Sequence, residues 1–515
     1  MQRYKILWAD DEIELLKAHI IFLESKGYDV TPVNSGIEAL EVIDKEPFDV
    51  VFLDENMPGM TGLEVLPEIK GIKPTIPVVM ITKSEEEHIM EEAIGEKIAD
   101  YLIKPLNPNQ VLLSVKKLLH NTRLVSEKTN ANYQQAFQQI SMMYNSGADA
   151  DEWKEIYKKL TYHEIEITQT EHKSMEEVLL MQKNEANANF CRFIEENYEY
   201  WMDDDDAPLM SHHLFKEKVA PELKDGKKVF FIIIDNLRYD QWLVIRSAVS
   251  QYLKVEEDMY YSILPTTTSH ARNAIFSGLL PVDMHKKHPN LWKFEGEEGG
   301  LNTNEDKFLE LQLKRLHLSH IKYSYHKIFN NAQGKQLISS LNNLYNNDLN
   351  TVVFNFVDML SHARTDVQMI KDLAADESAY RSLAKSWFEH SPLLELVKQL
   401  EKEDVVTVLT TDHGTIRVDK PHQLVGEKSI NSNLRYKHGR NMSYEEKNTF
   451  SVKHPEKMGL PKNSVSSSYV FAKENYFFAY PNNYNHYVKY YKDTFQHGGI
   501  SLEEVLVPVV RLTKK

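Results

Sequence analysis

Between residues 207 and 515, three apolar runs end in aspartate: VFFIIID at Asp235, TVVFNFVD at Asp358 and VVTVLTTD at Asp412. Histidines accompany them. His413 adjoins Asp412, His362 follows Asp358 by four residues, and His497 stands in QHGG just before the run VLVPVV. Continuous apolar runs of strand length read as parallel strands covered on both faces. In open α/β sheets, chemistry collects outside the carboxyl ends of such strands. The four-residue spacing puts Asp358 and His362 on one side of a helical turn. Mixed carboxylate and imidazole donors suit Zn²⁺ or Mn²⁺ better than Mg²⁺. Taken singly, each residue has an ordinary use, the aspartates as helix caps and the histidines as surface. Their joint placement at strand ends carries the metal reading. Three threonines, Thr266, Thr267 and Thr268, precede a segment of helical spacing, LPTTTSHARNAIFSGLLP. A threonine there sits where backbone N–H groups receive a phosphoryl oxygen, and a metal makes its hydroxyl a nucleophile.

A second constellation lies near the start. ILWADDE ends in Asp10 and Asp11, and VVFLD ends in Asp54. Neighbouring parallel strands bring these carboxylates to one edge, where mutual repulsion calls for a cation. Hard oxygen donors favour Mg²⁺. Thr82 closes the next strand and Lys104 precedes Pro105 after the last one. A hydroxyl and an ammonium beside a carboxylate suit a transient phosphoryl group on it.

The elements that must position these groups fall into three zones. Up to about residue 120, the runs KILWA, VTPV, VVFLD, VVMIT and DYLIK alternate with amphipathic stretches, which implies a parallel sheet with helices on both faces. From 122 to 206 the chain reads as helical. No proline lies between Pro108 and Pro208, Gly147 stops one helix, and Asp149 or Asp151 caps the next. Its plainest reading is a connector without chemistry. The third zone, 207–515, returns to alternation, and its 415–495 stretch, rich in Asn, Tyr, Lys and Ser, reads as an inserted cap. The 515 residues make room for about three domains at roughly 100–200 residues each. A single cysteine, Cys191, fits a reducing compartment. A net charge of −16 argues against broad binding to nucleic acid or anionic membrane. No secretory signal and no apolar run of membrane-spanning length is present, so a soluble cytoplasmic protein is expected.

The first zone resembles the receiver domains of two-component response regulators over its whole length. The acidic pair, Asp54-x-x-Met57-Pro58-x-x-x-Gly62, Thr82 and Lys104-Pro105 match in order. The resemblance implies phosphorylation of Asp54 by a sensor histidine kinase and Mg²⁺ held by Asp10, Asp11 and Asp54. It also implies sensing by Thr82 and Lys104, Tyr101 as the switch aromatic, and a cis Lys104-Pro105 bond. The last zone resembles the alkaline phosphatase superfamily, in its PglZ branch. Pro265-Thr266-Thr267-Thr268 through Gly278 and Pro281 is similar to the nucleophile segment of nucleotide pyrophosphatase/phosphodiesterases, aligned on Thr268. That implies one metal on Asp235, Thr268, Asp412 and His413 and a second on Asp358, His362 and His497. The asparagine that follows the nucleophile in those enzymes is unmatched, and Arg272 is the candidate in its place for contact with substrate, its other reading being a salt-bridged helix arginine. The order of zones resembles the PorX-type response regulators of type IX secretion in Bacteroidetes.

The expected architecture is α/β and multidomain: a CheY-like doubly wound receiver over 1–121, a helical bundle linker over 122–206, and an alkaline-phosphatase-like domain with an inserted cap over 207–515. The expected function is a response regulator with a two-zinc phosphodiesterase output, acting on nucleotide or oligonucleotide diesters and regulating type IX secretion. Attack by Thr268 would give a covalent phosphothreonyl or nucleotidyl-threonyl enzyme, then hydrolysed. Cap aromatics Tyr436, Tyr444, Tyr469, Phe477, Tyr484 and Tyr487 are available either to stack on bases or to fill the cap core. Homodimerisation on phosphorylation follows from the resemblance, with a sigma factor or secretion-machinery protein as a further partner. The alternative is a phosphorylation-controlled binding module with incidental or no catalysis. A monoesterase reading needs an oxygen clamp that the sequence does not reveal. Without a helix-turn-helix pattern or basic cluster, direct promoter binding is not expected.

Overall fold

The computed structural model describes residues 4–83, 98–119, 121–168, 173–204, 206–295, 297, 300–366, 373–374, 376–427 and 430–515. The chain forms two compact units, Met1–Tyr133 with Thr170–His172, and Gln134–Gln169 with Lys173–Lys515. Their boundary falls inside the helix Asn121–Asn145. From residue 134 on, the helical stretch expected as a linker packs with the C-terminal zone.

The first unit is built on five parallel strands, β1 Lys5–Ala9, β2 Asp29–Val33, β3 Val50–Asp54, β4 Val78–Thr82 and β5 Asp100–Ile103, in the order β2-β1-β3-β4-β5. Every residue of β3 and β4 is buried, because apolar clusters cover both faces of the sheet. One cluster joins Trp8, Phe52 and Ile81 to Val111 and Val115, and the other joins Leu53 and Met80 to Val65 and Ile69. Helix Gly62–Ile72 starts with a capping box. The Glu64 N–H donates to Thr61 Oγ1, and the Thr61 N–H donates to Glu64 Oε2 at 2.9 Å. A Cβ at Gly62 would lie 2.5 Å from the Asp54 carbonyl oxygen, so only glycine lets this helix pass so close to the end of β3. Residues 84–97 lie outside the described residues.

The second unit centres on a six-stranded sheet of order β7, C-terminal strand, β10, β6, β9, β8. Its members are β6 Val229–Ile234, β7 Leu253–Tyr261, β8 Tyr323–Ile328, β9 Leu349–Phe354, β10 Val406–Thr410 and the C-terminal strand Leu506–Lys514. Strands β10, β6, β9 and β8 run parallel, and the C-terminal strand is antiparallel to both β10 and β7. The carboxyl ends of β10, β6 and β9 therefore share an edge, and the approach to the C-terminal strand lies at the same edge.

Helices Ala150–Thr168 and Lys173–Trp201 are part of this unit. Asp149 is the cap, its Oδ1 accepting from the N–H groups of Asp151 and Glu152, both at 2.9 Å. Trp153 packs edge-on to Phe190, and Trp201 packs edge-on to Tyr261 of β7. The cap consists of three small sheets and the helix Tyr484–Tyr491. Phe477 fills its core with Ile416, Val418 and Ala479, with Tyr484 packed alongside, and Tyr444 packs on a second cluster around Leu424 and Phe478. Tyr436 and Tyr469 are buried, and Tyr487 is exposed.

The cap also buries an ammonium. Lys437 is 1% exposed, its Nζ donating to the Asn431 carbonyl at 2.9 Å and lying 4.8 Å from the Tyr480 ring centre. Burial pulls its pKa down to about 8. Between about pH 8 and the unfolded value near 10.5, the unfolded chain binds the extra proton, so stability rises with pH there. Lys437→Met is expected to stabilise this unit by about 1–2 kcal/mol at pH 7, after the lost hydrogen bond offsets part of the gain. The advantage shrinks as pH climbs from 8 to 10.5. Thermal unfolding of both proteins across that range checks it, and an advantage independent of pH would point to packing instead.

Candidate functional site

In the second unit the chain leaves β6 at Asp235 and β10 two residues before Asp412. Asp358 is placed differently from the sequence expectation. Strand β9 ends at Phe354, and Asp358 lies in the first turn of helix Phe356–Asp366 with His362 one turn on. The chain turns at Asn355, and the helix starts with Phe356 instead of prolonging the strand.

Two clusters result. Asp235, Asp412 and His413 bring one ligand atom each within 4.8 Å of one another, and so do Asp358, His362 and His497. The rings of His413 and His497 stack at 4.2 Å, so the clusters are neighbours. Thr268 Oγ1 stands 3.3 Å from Asp235 Oδ1 and 3.1 Å from His413 Nε2. The other two threonines face elsewhere. Thr267 Oγ1 pairs with His270 Nδ1 at 2.9 Å, while Thr266 Oγ1 donates to the Gly499 carbonyl and accepts from the Gly498 N–H. Thr268 opens a π-helical turn, Thr268–Arg272, that leads into helix Asn273–Ser277.

The donors fit a divalent cation on three counts. His413 Nδ1 lies 3.2 Å from the Gly414 carbonyl and His497 Nδ1 lies 3.1 Å from the Thr266 carbonyl. A carbonyl only accepts, so Nδ1 carries the proton in each ring and Nε2 presents a lone pair to the clusters. Burial holds both imidazoles neutral, with pKa values down to about 3. Burial pushes the Asp235 carboxyl up to about 7 against the pull of Arg272, and raises Asp358 and Asp412 as well. Carboxylates so destabilised are short of positive charge. Asp412 Oδ2 is buried without a hydrogen-bond partner among the described residues.

Arg272 takes the second of its two readings, the salt-bridged arginine. Expected to meet substrate, it is 1% exposed, and its donors turn inward, Nη1 to Asp235 Oδ2 at 2.5 Å and Nε to Glu305 Oε1 at 2.6 Å. Its guanidinium is also 3.7 Å from Asp412 Oδ2.

Other residues of the site were not singled out from the sequence. Asn236, at φ 66°, gives its backbone N–H to Asp412 Oδ1 and its amide to Asp358 Oδ1, tying the two clusters together. An Asn directly after a strand-end Asp was the available signal, since Asn tolerates that backbone region. Asn355 Nδ2 donates to Asp235 Oδ2 at 3.1 Å. Glu305 anchors Arg272 and also accepts from Lys327 and Tyr325. As a lone Glu at a helix start it carries no sequence signal.

In the first unit, Asp10, Asp11 and Asp54 also bring ligand atoms within 4.8 Å of one another, Asp11 being exposed and the other two buried. Lys104 Nζ reaches Asp54 Oδ1 at 2.7 Å and Asp10 Oδ2 at 2.8 Å. Burial raises the Asp54 carboxyl to about 6 against the hydrogen bond from Lys104, with Asp10 pushing it further up. Thr82 is buried at the end of β4, and its side chain is hydrogen-bonded to Tyr101. The Lys104-Pro105 bond is cis.

Three family profiles match the chain. Residues 6–116 match the response regulator receiver domain, 123–202 the PorX response regulator linker domain, and 214–512 the BREX system PglZ alkaline phosphatase-like domain. Among curated proteins, the transcriptional regulatory protein ZraR of Escherichia coli K12 is 36% identical over 126 residues, covering 24% of this chain and 29% of that protein. The CpxR homolog of Haemophilus influenzae is 30% identical over 165 residues, covering 32% of this chain and 70% of that protein. The chain thus spans less than a third of the length of its ZraR relatives. Among solved structures, chemotaxis protein CheY4 of Vibrio cholerae is similar at 30% identity and a TM-score of 0.22, over 23% of this chain and 100% of that one. A CheY-like receiver protein of Methanospirillum hungatei gives 27% and 0.23, over 23% and 96%. The chain belongs to the PglZ alkaline-phosphatase-like family and carries that domain in a PorX-type architecture, behind a response regulator receiver and a PorX linker.

Proposed function

We propose that this two-component regulator is a phosphodiesterase with Thr268 as nucleophile and two zinc ions, or manganese, as cofactors. In this reading one ion is held by Asp235, Thr268, Asp412 and His413 and the other by Asp358, His362 and His497. When bound there, the pair would acidify the Thr268 hydroxyl and stabilise the leaving oxygen. The observation that carries the reading is the position of Thr268 Oγ1 between Asp235 Oδ1 and His413 Nε2, beside the stacked His413–His497 pair. Thr268 Oγ forms the new bond to phosphorus as the ester oxygen departs, and water later cleaves the phosphothreonyl ester.

Charge favours a diester. A monoester brings a dianion that calls for an added cationic clamp. Among the described residues Arg272 is the one Lys or Arg paired with these carboxylates, and Asp235 and Glu305 occupy it. A singly charged nucleotide or oligonucleotide diester needs less. In the receiver, Asp54 accepts the phosphoryl group, Mg²⁺ sits on Asp10, Asp11 and Asp54, and Thr82, Lys104 and Tyr101 respond. The parts 1–121, 122–206 and 207–515 serve as receiver, linker and output. The regulator acts in the cytoplasm on type IX secretion, with a sigma factor or secretion-machinery protein downstream. No helix among the described residues is long and apolar enough to cross a membrane.

The test is a panel of p-nitrophenyl monoester, diester and sulfate together with a short oligonucleotide, each with Zn²⁺ or Mn²⁺. The diester is expected to turn over at least about tenfold faster than the monoester, with chelator abolishing both. No turnover of any substrate would move the function to the binding-module alternative.

A further inference from the structure

Arg238, three residues after Asp235, is 1% exposed and touches the segments that carry ligands from three parts of the chain. It caps the helix Tyr239–Val249 that leaves the Asp235 loop. Its methylene stem packs on Gly414, next to His413, where an added Cβ would lie 3.4 Å from Arg238 Cγ. Its guanidinium lies 5.3 Å from the ring centre of Phe495, two residues before His497, and 5.9 Å from that of Tyr380, which stacks on Phe495 at 4.1 Å. Carboxylates fix the guanidinium. Nε donates to Asp240 Oδ1 at 2.8 Å, and Nη2 reaches Asp240 Oδ2 at 2.5 Å and Glu377 Oε2 at 2.6 Å.

The helical hairpin made by Ala150–Thr168 and Lys173–Trp201 holds this group from outside. Arg381 joins Asp240 Oδ2, at 3.3 Å, to Glu164 Oε1, at 2.9 Å. Lys183 joins Glu164 Oε2, at 2.5 Å, to Glu503 Oε1, at 3.4 Å. Asn187 donates to Glu503 Oε2 and accepts from the Leu502 N–H, which fixes the chain just beyond His497. Three cations and four carboxylates thus form a chain from the hairpin to the loops of Asp235, His413 and His497. Hydrophobic side chains of similar volume commonly replace buried ion pairs without loss of stability, so stability alone does not account for such a chain.

We infer that Arg238 is a positioning residue for the site proposed above, and that the hairpin is its brace, acting through Arg381–Glu164 and Lys183–Glu503. The inference rests on that reading of the site. A ligand displaced by about 1 Å costs turnover far more than it costs substrate binding.

Glu164→Gln on the full chain is the sharpest variant, because Glu164 lies on the hairpin and removing its charge leaves its size. We expect kcat for bis(p-nitrophenyl) phosphate to fall about tenfold with KM within about twofold. Affinity for Zn²⁺ alone should fall, and hydrogen–deuterium exchange should rise over 235–238, 411–416 and 494–500. Arg238→Gln should lose more, and Arg238→Lys should recover part of the loss. If Arg238→Gln does not fold, Glu164→Gln decides by itself. Unchanged kcat, zinc affinity and exchange in Glu164→Gln, with only a lower melting point, would overturn the inference. If the wild type cleaves no diester but zinc affinity and exchange still shift, the reaction is wrong and the positioning role stands.

Discussion

Replacing Thr268 with valine is expected to cut diester turnover by at least about 10³-fold while leaving the metals bound. Valine keeps the volume and branching of threonine and removes the one oxygen that stands between Asp235 Oδ1 and His413 Nε2. Asp235, Asp412, His413 and the Asp358–His362–His497 cluster remain as donors, so elemental analysis should still find about two ions per chain. The neighbouring threonines act as controls. Thr267→Val removes a hydroxyl held by His270 and Ser269, away from both clusters, and should cost only a few-fold. Asp412→Asn gives the opposite pattern. It weakens the first cluster directly, so metal and turnover should fall together. Full activity in Thr268→Val would assign attack to water. A dead Thr267→Val beside an active Thr268→Val would shift the nucleophile by one residue.

What the sequence revealed followed from local rules. The runs ending at Asp235, Asp54 and Asp10 are apolar because both faces of each strand are covered, so strand position and residue chemistry appear together in a few letters. The pairing of Asp358 with His362 was legible as a four-residue spacing, although the strand end was placed too late. Glu305 and Arg238 were not legible. Each owes its role to partners brought close only by the fold: Arg272 lies 33 residues from Glu305, and Glu377 and Phe495 lie well over a hundred from Arg238. The hairpin shows the same limit. Its helical spacing and its Asp149 cap could be read from the residues themselves. Its reading as a plain connector could not be improved, because Lys183 and Asn187 meet Glu503 across more than 300 residues. The fate of Arg272 depended on how many carboxylates the fold would gather around one guanidinium, and no spacing rule counts those.

Beryllofluoride with Mg²⁺, which mimics the phosphoryl group on Asp54, is expected to convert the wild-type protein from monomer to dimer and to leave Asp54→Ala unchanged. The charge change is large for a buried site. Phosphorylation exchanges the single charge of the Asp54 carboxylate for a phosphoryl group that carries close to two, a net gain of about one negative charge next to Asp10. Lys104 already spans Asp10 and Asp54, so its ammonium can follow the new oxygens. The Thr82 hydroxyl is engaged with Tyr101. Donation from Thr82 to a phosphoryl oxygen leaves only its lone pairs for Tyr101, so the tyrosine O–H must be the donor in that bond, which changes what holds the ring on β5. A few kcal/mol of preference for the altered state is enough to invert the balance between two conformations. Light scattering on both proteins, with and without beryllofluoride, reads the mass directly. A wild-type mass that never changes would remove dimerisation from the switch. A mass that doubles in Asp54→Ala as well would remove Asp54 from it, because that variant has no carboxylate to carry the mimic.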